Sequence, residues 1–164
     1  MMLKMTKVEV WSAEIDDQPG GLALAMQAAA DYGADLDCVI ARRQPEKAGK
    51  GVVSVTSSGS VVALENATAA GFRRASRVAT LKVEGANQRG LGAKLTRIIA
   101  DAGVSMLGLT AAVVGHRFVC YIGFDSLADL ERAELALRPL AERHWPSWTG
   151  LAGHKKEEKV KVPA

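Results

Sequence analysis

Asp16-Asp17-Gln18-Pro19-Gly20-Gly21 and, seventy residues on, Ala86-Asn87-Gln88-Arg89-Gly90-Leu91 read as one turn met twice. Placing Gly20 on Gly90 without a gap sets Val8 on Val78, Glu14 on Glu84, Ala30-Asp31 on Ala100-Asp101 and Gly33 on Gly103. Single coincidences of Ala and Gly carry little. The order of signals carries more: an apolar run, a polar turn with glycine, an amphipathic helix, an Asp-x-Gly stop and a second apolar run. An internal repeat of this length sets the architecture before any local detail does.

Outward from the two turns, periodicity names the elements. Ala79, Leu81 and Val83 alternate with Thr80, Lys82 and Glu84, as in a strand with one buried face. Val8, Val10, Trp11, Ala13 and Ile15 form the equivalent first strand, less cleanly alternating. Leu22, Ala25, Met26, Ala29 and Tyr32 recur at helical spacing, as do Leu91, Leu95, Ile98, Ile99 and Ala102. Gly33 and Gly103 stand where a left-handed helix stop is least strained. Leu36, Cys38 and Ile40 open the next strand.

A third strand follows in each copy, over 51–56 and 117–124, the first through the loop 43–50 and the second through a tight turn at Gly115-His116. Ser126 and Asp129 suggest a capping pair for a helix carrying Leu127, Leu130, Ala133, Leu137 and Leu140. Asn66 would start a shorter counterpart over 67–75. Each copy therefore reads β-α-β-β-α with a closing strand expected. Residues 73–77 offer one for the first copy. In the second, 143–149 would serve, but Pro146 confines it to an edge.

The fold class expected is α+β: two ferredoxin-like βαββαβ units, each an antiparallel sheet with helices on one face. The first unit would cover 7–76 and the second 77–150, leaving 151–164 as a charged tail. Length agrees, since 164 residues make one ordinary domain or two small ones.

The two turns resemble those of the ACT domain family, small regulatory modules that bind amino acids. The likeness rests on Asp17-Gln18-Pro19-Gly20-Gly21-Leu22 and Asn87-Gln88-Arg89-Gly90-Leu91, each followed by an alanine-bearing helix and a Gly-hydrophobic-polar-hydrophobic run, Gly33 to Leu36 and Gly103 to Met106. It implies a ligand held by Asp17, Gln18, Gly20 and Asp35 in one unit, and by Asn87, Gln88, Gly90 and Ser105 in the other. Copy two departs in carrying Arg89 where the family has proline. Carboxylates at 17 and 35 favour an ammonium group. Asn87 and Ser105 offer neutral donors and acceptors for a zwitterion, making copy two the better candidate. The bland alternative is that Gly20 and Gly90 are turn residues and no more.

Other classes find less. His116, His144 and His154 show no metal-ligand spacing with Cys38 or Cys120, and both cysteines lie in strand patterns as core thiols. Residues 90–96 lack the Lys-Ser/Thr that follows a phosphate loop's last glycine. No enzyme, cofactor or metal is expected. RNA binding on a ferredoxin-like sheet is the rival, but needs exposed aromatics, and aromatic content is only 5%. On 117–124, Phe118 and Phe124 share a face with Cys120 and Ile122, leaving Tyr121 alone on the other. A ligand-free scaffold is the third reading. The net charge of +3 is spread among acids and a mixed tail. No run of about 20 apolar residues suggests a membrane span, Met1 to Lys7 lacks a secretory signal's apolar stretch, and two cysteines suit a reducing cytoplasm. Small sheets with open edges suggest a homodimer, with a regulated enzyme or regulator as a possible partner.

Overall fold

The computed structural model describes residues 3–57, 61–76 and 78–142. Among these described residues, eight strands and four helices follow one another as β1 (Lys4–Val8), β2 (Val10–Asp16), α1 (Gly21–Asp31), β3 (Cys38–Arg43), β4 (Lys50–Thr56), α2 (Val61–Asn66), β5 (Arg73–Arg74), β6 (Ala79–Ala86), α3 (Leu91–Asp101), β7 (Gly108–Val114), β8 (Arg117–Phe124) and α4 (Leu127–Glu142). They build two four-stranded antiparallel sheets, in the orders β3-β4-β2-β5 and β1-β6-β8-β7. This is the α+β, twice ferredoxin-like architecture expected from the repeat.

Strand alternation builds each core. Trp11 and Ala13 of β2 and Val53 and Val55 of β4 turn toward Ala29 of α1, with Leu64, Ala67 and Phe72 closing that core. In the second, Leu81, Val83, Phe118, Cys120, Ile122 and Phe124 meet Leu91, Leu95 and Ile99 of α3 and Leu130, Ala133 and Leu137 of α4. At roughly 25 cal/mol per Å² of apolar surface removed from water, these side chains are the main stabilisers of each unit.

The repeat is visible in backbone hydrogen bonds. Gly21 N donates to Gln18 O as Leu91 N does to Gln88 O, and Leu24 N to Gly20 O as Lys94 N to Gly90 O. Ala34 N donates to Ala29 O as Val104 N to Ile99 O, and Asp37 N to Thr56 O as Leu107 N to Gly123 O. The donors are all seventy apart, but Thr56 and Gly123 are sixty-seven apart. Between these hydrogen-bonded positions the second hairpin is three residues shorter than the first.

Three local expectations are corrected. Val8 does not continue into Val10. It ends β1, which pairs with β6 through Lys4↔Glu84 to Val8↔Thr80, while β2 pairs with β4 and β5. The edge beside β6 is thus occupied by the chain's beginning; the segment 143–149 proposed for closure lies outside the described residues. Leu3 and Met5 drive this, packing into the second core. Helix α2 ends at Asn66 and tightens into a 3-10 turn over Ala67–Ala70, so no helix runs over 67–75. Arg73 and Arg74 instead pair with Ser12 and Trp11, close to the closing strand expected there. Finally, Leu36 packs into the first core but Cys38 and Ile40 do not share its side. They belong to the helix-free face, where Cys38 opposes Thr56 and Ile40 opposes Ser54.

The remaining expectations at helix ends hold. Asp129 N donates to Ser126 Oγ at 3.1 Å and Ser126 Oγ donates to Asp129 Oδ2 at 2.6 Å, starting α4 as a capping pair. Among the described residues no helix is long and apolar enough to cross a membrane.

Candidate functional site

Both quoted turns stand at the end of a strand and the start of a helix. Asp17 N donates to Gly49 O at 2.9 Å and Asn87 N to His116 O at 2.7 Å, tying each turn to the neighbouring hairpin. Gly20 and Gly90 take φ of +92° and +78°, the left-handed region that glycine enters without strain. Neither α1 nor α3 receives a side-chain cap, so amides of each first turn are left for water or an anion. Gly21 has a separate reason to be glycine: a Cβ there would lie 2.1 Å from Asp16 O.

The electrostatics of the two turns differ. Asp17 Oδ2 lies 2.9 Å from Arg43 Nε, and Asp16 Oδ1 2.7 Å from Lys50 Nζ. Glu14 Oε2 lies 2.7 Å from Lys47 Nζ, whose hydrogen bond holds the Glu14 carboxyl below its ordinary pKa. The first turn's acids are therefore already matched with cations. Asn87, Arg89 and Gly90 of the second turn are exposed, and Asn87, where the first turn has Asp17, carries no charge to be matched. Gln18 and Gln88 accept helix-start amides through their backbone oxygens.

The polar positions that follow each helix lie elsewhere. Asp35 and Ser105 are exposed just before β3 and β7. In the first sheet Cys38 opposes Thr56, which opposes Val10, whereas Asp17 follows Asp16, which opposes Lys50. Asp35 and Asp17 thus sit at opposite ends of the sheet, about 20 Å apart along a seven-residue strand. The same holds for Ser105 and Asn87, since Gly108 opposes Gly123 and Ala86 opposes Arg117. One chain does not bring its own pair of polar positions together.

The edges carry a second relationship. β3 and β7 each border their sheet. All seven residues of β7 are exposed, Leu109, Val113 and Val114 among them, and on β3 Val39 and Ile40 are exposed as well. Unpaired apolar edges of this kind are templates for another strand.

Sequence reasoning missed the helix-free faces. Lys82 is only 17% exposed there, with Glu84 Oε2 at 3.3 Å and the Tyr121 ring centroid at 5.9 Å. Burial opposes its charge, but Glu84, Tyr121 and Asp37 outweigh burial and hold its pKa above the ordinary value. Burial also raises the pKa of Tyr121. Cys38, expected in a core, lies half-buried on this face of the first sheet, while Cys120 is a core thiol with its pKa pushed up to about 11 by burial. The signal was present in Ser12, Ser54, Thr56 and Thr80, polar positions alternating inside apolar strands. Tyr121, the lone aromatic of that face, is turned toward the first sheet, which weakens the RNA reading further.

No protein-family model matches the chain, and no curated protein matches it. Its fold is similar to that of a solved protein from Bacteroides thetaiotaomicron, with TM-score 0.68 and 12% identity over 82% of this chain and 89% of that one. It is also similar to the ligand-free regulatory subunit of aspartate kinase from Thermus thermophilus, with TM-score 0.58 and 21% identity over 87% and 98% of the two chains. For aspartate kinase from Synechocystis the values are 0.57 and 18%, over 84% of this chain and 26% of that one.

Proposed function

We propose that this chain, which has the tandem ACT-type fold of aspartate kinase regulatory subunits, is a non-catalytic regulatory protein that senses an amino acid. The observation that carries the reading is the second turn: exposed, uncharged Asn87 beside a helix start without a side-chain cap. Backbone amides there suit a carboxylate, and the Asn87 amide oxygen suits an ammonium group. The first turn is the weaker candidate, because Arg43 and Lys50 already engage its acids.

The site would be completed by a second copy. Antiparallel pairing of β7 with β7 of another chain sets the Gly108 end of one against the Val114 end of the other. Ser105 of the second copy then approaches the end of the sheet that holds Asn87. The same operation on β3 carries Asp35 toward Asp17 and Arg43. A two-fold dimer also covers the exposed edges, which makes one interface answer both requirements. Ligand held between copies favours one arrangement of the dimer over another, and a regulated enzyme or regulator would read that difference. Two free thiols accord with a cytoplasmic setting.

Thermal-shift and calorimetric screening of the full chain against the twenty amino acids tests this. One or a few should raise the melting temperature, by about 2.7 kcal/mol of stabilisation at a hundredfold excess over Kd, and Asn87→Ala should abolish the response. Silence toward all twenty would leave the scaffold reading.

A further inference from the structure

The helix-free faces of the two sheets look at each other across a cavity of about 300 Å³, distinct from both turns. Ser12, Ser54 and Thr56 come from the first sheet, and Thr80, Thr110 and Tyr121 from the second. The size is at the lower end of small-molecule pockets. Its apolar wall includes Val10, Ile40, Val78 and Leu109.

One polar atom in this wall is unexplained. Thr56 is 5% exposed, and its Oγ1 is buried without a hydrogen-bond partner. Ser12 and Ser54 satisfy each other at 2.9 Å. Thr56 lowers the Tyr121 pKa as a hydrogen-bonding neighbour, yet Thr56 Oγ1 has no partner that meets hydrogen-bond distance and angle together. A hydroxyl stripped of water and given no partner is costly, and one that faces a cavity can take its missing partner from a molecule bound there.

The charge of the lining narrows the chemistry. Arg42 is exposed on the cavity wall and makes no ion pair among the described residues. Among the described residues no carboxylate lines the cavity; Asp37 stands near enough to act on Lys82 and Tyr121 but is not in the wall. Arg42 and Thr56 are four residues apart in strand register, about 13 Å. An extended arginine side chain, the adjacent carboxylate and hydroxyl of a 2-hydroxy acid, and the hydrogen bonds at either end together span that distance.

We propose that this cavity is a second ligand site, for a small aliphatic 2-hydroxy acid that lacks an ammonium group. Its carboxylate meets Arg42, its hydroxyl meets Thr56, and its aliphatic body lies on the apolar wall. The absence of an acid to receive an ammonium group separates this ligand from the zwitterion assigned to the turns. The inference does not depend on that assignment, because the two sites share no residue.

The test is an amide-resolved NMR titration of the full chain with 2-hydroxyisovalerate, isovalerate and valine. Both acids should shift Thr56, Thr110 and Gly123 and leave 87–91 in place, with the hydroxy acid bound roughly fivefold tighter. Valine should not shift the cavity residues. Thr56→Val keeps the shape and should remove the hydroxy acid's advantage while leaving isovalerate unchanged. Arg42→Gln, on the surface, should weaken both acids at least about fivefold. Cavity residues unmoved by either acid, valine binding as well as the acids, or an undiminished advantage in Thr56→Val would each overturn the proposal.

Discussion

Arg43 Nε lies 2.9 Å from Asp17 Oδ2, so the first turn's carboxylate finds its cation within its own unit. The pair is largely exposed, and exposed pairs contribute little because water and salt screen them. Arg43→Gln should change unfolding free energy by less than about 1 kcal/mol. Urea titrations at low salt and in concentrated NaCl should show whatever difference exists shrinking with salt.

Glycines 21 and 92 should respond to alanine with opposite signs. A Cβ at 21 would press to 2.1 Å from the Asp16 carbonyl, whereas at 92, inside α3, nothing lies within 4 Å. Gly21→Ala should destabilise by about 2–4 kcal/mol as the turn is forced open. Gly92→Ala should stabilise by about 0.5–1 kcal/mol through lower unfolded-state entropy. Chemical denaturation of the two variants checks both signs.

Trp11 is 6% exposed in the first core, and its Nε1 has no hydrogen-bond partner. Trp11→Phe removes that unpaired donor along with some packing, so the two changes oppose each other, and its cost should stay within about 1.5 kcal/mol. Phe72, fully buried in the same core, has no such offset, and Phe72→Ala should cost about 3–5 kcal/mol. Equal losses in thermal unfolding would contradict the orphaned indole.

Cys120 links stability to alkaline pH. Burial raises its pKa from an ordinary 9.0 to about 11, so the folded chain keeps the thiol neutral after the unfolded chain has ionised. The contribution is whole below pH 9 and is lost as pH rises toward 11. Its size is on the order of 1–2 kcal/mol. Urea midpoints at pH 8 and pH 10.5 should fall further in the wild type than in Cys120→Val.

Much of this architecture is legible in the sequence, for identifiable reasons. The turns at Gly20 and Gly90 recur because each must pass from strand to helix through a positive φ. The strand 117–124 is plain because a half-buried strand must alternate. The closing strand of the second sheet was not legible, because β1 pairs with a strand more than seventy residues away, Met5 with Val83, and nothing local announces it. Helix α2 was misplaced because Asn66 resembles a cap but has helical φ and ψ of −67° and −32°. At the site, residue types at 17, 35, 87 and 105 could be read, but not that Asp17 meets Arg43. Nor could it be read that 87 and 105 lie at opposite ends of a sheet. The apolar character of Cys38 and Ile40 suggested a core, whereas they face the other sheet.

On the function proposed above, Asn87 of one copy and Ser105 of another hold the same amino acid. Subunit complementation with Asn87→Ala and Ser105→Ala chains tests it most directly, using whichever amino acid the screen selects. Each variant alone should fail to bind in calorimetry. Mixed and exchanged, they should recover roughly a quarter of the sites, since a mixed dimer rebuilds one complete site and ruins the other. Binding by either variant alone, or a mixture that stays silent, would contradict a site shared between copies.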